Sequence, residues 1–182
     1  MITHFLRKRL PAKENIFTVF SFVIFIVASW SIYFFLPNLN SYVYHFTTLE
    51  ILSIFLYLMA FALFESILVT GVLLVIGFIL PRQWFREGFV YKAPIPVVGL
   101  AFALMRLQSS ISNDNIPRPH TIAEATFVFL ILCVLLILLI NRMRKLQQLL
   151  RVVLEQFTVF AYLYVPLGLI GVVVILIRNG SR

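Results

Sequence analysis

The sequence predicts an all-α fold, a polytopic membrane bundle of about five transmembrane helices in a single domain. Three observations carry this. Of the 182 residues, 62% are hydrophobic and only 12% charged, where soluble domains run nearer ~45–50% and ~25%. The apolar residues gather into five runs, matched to the roughly 20 residues of helix that a ~30 Å hydrocarbon core requires. The basic residues, which give a net charge of +8, sit at the ends of those runs, where they orient helices and meet anionic headgroups.

The first run, 16–36, follows Arg7, Lys8, Arg9 and Lys13 and is closed by Pro37 and Asn38. It exceeds the ~7–15 apolar residues of a secretory signal and lacks a small-x-small cleavage site, so it reads as a retained span. The second, 51–80, is introduced by Thr47 and Glu50, a capping-box pair, and ends at Pro81. The third, 93–109, carries Pro94 and Pro96 in its first turn, where proline costs least. Thr121 and Glu124 form a second capping-box pair and open the fourth span, 122–140. The fifth covers 157–177, with Pro166 as an expected kink. Between the last two, residues 142–156 place Met143, Leu146, Leu150 and Val153 at helical spacing. This segment is either an amphipathic helix in the membrane interface or a continuation of the fourth span, since no glycine or proline marks a turn.

Arg7, Lys8, Arg9 and Lys13, then Arg82, Arg86 and Lys92, then Arg142, Arg144, Lys145 and Arg151 fall on one side of the alternation. The other side holds Arg106, Arg118, Arg178 and Arg182. That bias puts the N-terminus in the cytoplasm and the C-terminus outside a bacterial inner (plasma) membrane. Trp30, Tyr33, Tyr42 and Tyr44 fit an outer aromatic belt, and Trp84 and Tyr91 an inner one.

Glu65 is the one acid deep inside an apolar run. Counted from the inner span ends at 1.5 Å per residue, Glu65 lies about 24 Å deep and Arg106 about 21 Å deep. The two charges are therefore expected to pair across the second and third spans. Ala62, Ser66 and Thr70 step by four beside Glu65, as Gly99 and Ala103 do beside Arg106. Small residues at that spacing let helix backbones approach in lipid. Two readings stand side by side: a structural clasp, or a proton or cation site for transport.

Catalytic chemistry is missing from the pattern. No phosphate-binding loop, zinc motif or nucleophile–base arrangement occurs, and Asp114 is the sole aspartate. His4, His45 and His120 all lie outside the spans, so haem within the bundle is not expected. His45 and His120 share the outer face and read as solvated, with contact to a pigment or metal as the other reading. Cys133 is alone, which excludes an intrachain disulfide and a multi-thiolate metal site. No cofactor and no metal are expected. Nor is nucleic acid, because no basic face with interleaved aromatics appears outside the apolar runs.

The stretch "FALFESILVTGVLLVIGFILPRQWFREGFV", preceded by "ENIFTVFSFVIFIVASWS", resembles uncharacterised multi-spanning proteins of bacterial membranes. That resemblance covers the first half of the chain and implies no activity. The five-span layout is also similar to the membrane part of lipoteichoic-acid synthase-like and phosphoethanolamine transferase-like enzymes, which carry an extracellular catalytic domain after the last span. No such domain is expected here, where the sequence runs to Arg182.

The expected function is that of a non-enzymatic accessory or scaffold subunit, whose partners are the lipid bilayer and other membrane subunits. A small transporter using Glu65 is the first alternative. A membrane partner of a lipid- or envelope-modifying enzyme is the second.

Overall fold

The computed structural model describes residues 11–79, 88–112 and 119–180. All regular structure in these residues is helical. The helices are α1 (Lys13–His45), α2 (Thr48–Ile79), α3 (Phe89–Lys92), α4 (Pro94–Ser112), α5 (Pro119–Arg142), α6 (Arg144–Gln156) and α7 (Thr158–Gly180). Five segments are long and apolar enough to cross a membrane, so the chain is a multi-pass helical membrane protein.

The core is a three-helix unit of α1, α2 and α7. Phe35 of α1 meets Phe55 of α2 at 5.5 Å between ring centroids, which fixes the register of that antiparallel pair. Against another face of α2, α7 comes backbone to backbone through glycine. A Cβ added at Gly168 would lie 2.8 Å from the Leu63 Cβ and 3.1 Å from the Met59 carbonyl oxygen. One added at Gly171 would collide with the carbonyl oxygen of Leu56. Small residues at such a seam let van der Waals packing replace the missing hydrophobic drive between helices in lipid.

One end of the unit is closed by a buried cluster of Val19, Phe22, Leu73, Phe89, Val90, Ala93, Val97 and Leu154. It ties the start of α1, the later part of α2, α3, the start of α4 and the end of α6 together. Because α3 delivers the chain to α1, α4 then runs along α1 rather than along α2. Gly88, at φ 89°, adopts the left-handed conformation that opens α3.

Two expected boundaries are corrected. Pro37 does not close the first span; α1 continues through it to His45. Proline frees a carbonyl one turn back, and in membrane helices neighbouring side chains re-satisfy such groups. The carbonyl freed is that of Tyr33; the Asn38 side-chain amide donates beside it, to the Phe34 carbonyl, at 2.9 Å. Thr121 is not the start of the fourth span, since α5 already begins at Pro119. The Thr47–Glu50 pair does form at the start of α2. The Thr47 N–H and hydroxyl both donate to Glu50 Oε2, at 2.8 and 2.9 Å. Pro81 and Trp84 lie outside the described residues.

The segment after α5 is a separate helix. Met143 leaves helical geometry at φ −111°, ψ 88°. The Gln147 side-chain amide then donates to the Ile140 carbonyl at 2.9 Å and the Asn141 carbonyl at 3.1 Å. A helix end has carbonyls without intrahelical donors, and Gln147 supplies the donor that a terminal glycine would otherwise make unnecessary. Leu154 is buried against the bundle, while Arg144, Lys145, Gln148 and Arg151 are exposed.

Candidate functional site

The second helix divides into two faces. Met59, Ala60, Ala62, Leu63, Ser66, Thr70, Leu73 and Gly77 are buried at spacings of one to four residues. Phe61, Phe64, Leu68, Val72 and Val75 point away from the bundle. Glu65 belongs to the outward set, near the middle of this 32-residue helix. Its carboxyl forms no hydrogen bond or ion pair among the described residues. A charge placed so, in the middle of a helix of spanning length, costs ~2.5–3.5 kcal/mol on insertion scales unless something relieves it.

The expected clasp is not formed. No ion pair joins Glu65 to Arg106, and the helices that carry them are not packed together. Arg106 is exposed and places its guanidinium 5.6 Å from the centre of the Phe102 ring, one turn back on α4. Met105 and Phe102 lie alongside Trp30 and Tyr33 of α1. Since Tyr33 is close to the Phe35–Phe55 level, Arg106 stands roughly 12 Å nearer the α1–α2 hairpin than Glu65, at 1.5 Å per residue. Counting depth from span ends failed because a helix of 32 residues spans ~48 Å, far more than a ~30 Å core.

The small residues are also distributed otherwise than expected. Ala62, Ser66 and Thr70 are buried inside the three-helix unit. Gly99 instead makes room for the Phe129 ring of α5, into which an added Cβ would run, and Ala103 is exposed. The seam that does bring backbones together, Gly168 and Gly171 against α2, was not singled out from the sequence. Its signal was present as two glycines three residues apart in "PLGLIG".

Among the described residues, the buried serine hydroxyls satisfy themselves locally. Ser66 Oγ donates to the Ala62 carbonyl at 2.6 Å, and Ser21 Oγ to the Phe17 carbonyl at 2.7 Å. Thr70 Oγ1 is the exception: buried, and with no hydrogen-bond partner among the described residues. No cluster of three or more metal-ligating side chains forms among the described residues. His45 is exposed at the end of α1, Cys133 is buried in α5, and the His120 side chain lies outside the described set.

Two lateral grooves open between helices. One, of about 560 Å³, lies between α1 and α2 and is lined by Lys13, Ile16, Phe17, Phe20, Ile67, Thr70, Gly71 and Leu74. The other, of about 370 Å³, lies between α1 and α4. Glu65 lines neither.

Comparison with protein-family models, with curated proteins and with solved structures returns no match. No residue role is therefore carried to this chain from a known protein.

Proposed function

We propose that this chain is a non-enzymatic subunit of a larger membrane assembly, and that the outward face of α2 receives a transmembrane helix of a partner protein. The observation that carries the reading is Glu65. Its carboxyl is exposed among Phe61, Phe64, Leu68 and Val72, with no partner among the described residues. A partner helix with a basic group or an amide or hydroxyl donor at matching depth relieves that charge, while its apolar flanks pack on the phenylalanines. The basic flanks of the spans orient this face in a bacterial inner membrane with the N-terminus in the cytoplasm. The polar arc of α6 then faces the cytoplasm from the membrane interface.

Transport through the chain has less support. A permeation path needs several polar groups around a cavity at depth, whereas Glu65 faces outward and away from both grooves. An envelope-modifying enzyme is one class of partner that fits the subunit reading.

Purification of the tagged chain in mild detergent tests this. Wild type elutes with a second membrane polypeptide, and Glu65→Gln elutes without it while keeping its own melting temperature. A wild-type chain that elutes alone and moves a solute in liposomes contradicts the subunit reading and restores the transport one.

A further inference from the structure

We propose that the groove between α1 and α2 is a binding site for one acyl chain of an anionic phospholipid, with the lipid phosphate at Lys13. The walls are aliphatic and aromatic side chains, among them Phe20, Ile67 and Leu74. Its volume of about 560 Å³ falls within the ~300–1,000 Å³ of small-molecule sites. From Lys13 to Phe20 the groove follows α1 for roughly 10 Å at 1.5 Å per residue.

The charge is at one end only. Lys13 opens α1, is exposed, and pairs with no acid among the described residues. Phe20 and Ile67 close the deeper end with nothing ionisable. A cation at the rim and hydrocarbon below match the polarity of a phospholipid standing in the leaflet on the basic side of the protein.

Gly71 supplies the opening. A Cβ built there meets no atom within 4 Å, although Thr70 beside it is buried. A side chain at 71 therefore starts in open space within the groove. That makes the site removable at a single position.

Native mass spectrometry of the detergent-purified full chain, titrated with phosphatidylglycerol or with phosphatidylcholine of the same acyl chains, tests the proposal. Wild type binds one phosphatidylglycerol in preference to phosphatidylcholine. Lys13→Gln lowers that preference about fivefold, the scale of one basic residue at an anionic surface. Gly71→Leu loses the bound lipid while its lipid-free melting temperature stays at the wild-type value. Should Gly71→Leu fail to fold, Ile67→Trp narrows the same groove from an exposed position and gives the same loss. Equal binding of the two lipids by wild type overturns the proposal, as does undiminished binding in the filled variants. A groove occupied by the chain's own first residues or by a partner shows no bound lipid in wild type, which also overturns it.

Discussion

Gly171 of α7 rests directly on the backbone of Leu56 in α2, close enough that a single added methyl group collides with the Leu56 carbonyl oxygen. Such an approach has no slack, and overpacking a closely fitted interface costs ~1–3 kcal/mol. Gly171→Ala should therefore lower the stability of the detergent-solubilised protein by about that amount. Gly180, where an added Cβ meets nothing within 4 Å, is the control, and Gly180→Ala should leave the melting curve in place. Equal effects at the two positions would show that helix propensity, not the seam, sets the outcome.

The buried hydroxyl of Thr70 gives a prediction of the opposite sign. It has no hydrogen-bond partner among the described residues, and an unsatisfied buried polar group costs ~1–3 kcal/mol. Thr70→Val keeps the branched shape and removes the orphan oxygen, so stability should hold or rise by up to about 1 kcal/mol. Ser66→Ala, one turn earlier, removes a made hydrogen bond and should not gain. A clear loss in Thr70→Val would reveal a partner for that oxygen.

At the junction of α5 and α6, Gln147 holds the Ile140 and Asn141 carbonyls. Gln147→Met keeps the side-chain length and deletes the donor. The cost should be ~1 kcal/mol, expressed locally as faster amide exchange over residues 143–147. Unchanged exchange there would mean that Met143 alone makes the break.

The spans were legible in the sequence because each is a run of apolar residues, and all five appear as helices of spanning length. Their neighbours were not. Glu65 and Arg106 match in depth only if consecutive spans are adjacent and their ends are membrane edges. Neither assumption survives α3, which delivers α4 to α1, or the length of α2. Pro37 does not end α1, because proline is tolerated inside membrane helices and the chain is helical on both sides of it. The α5–α6 break is invisible to a search for glycine and proline, because it falls at Met143 and its free carbonyls are held by the Gln147 side chain. What was readable about Glu65 was its depth in an apolar helix. Which way it faces depended on packing partners far away in sequence.

Alternating flank charge predicts sidedness that labelling can check. On a Cys133→Ser background, Asn40→Cys should react only with an impermeant reagent added outside. Gln148→Cys, on the exposed side of α6, should react only from the cytoplasmic side. The reverse at either position contradicts the orientation.

In the proposed assembly, the face of α2 around Glu65 is covered by a partner helix in the membrane. The most direct measurement is in-cell photo-crosslinking from a reactive amino acid at Phe61 or Leu68, which flank Glu65 on that face. A probe at exposed Leu136 of α5 is the control. A discrete adduct to a second polypeptide is expected from both α2 positions, none from Leu136, and loss of the α2 adducts in Glu65→Gln. Adducts to lipid alone at Phe61 and Leu68, unchanged by Glu65→Gln, would contradict that assembly.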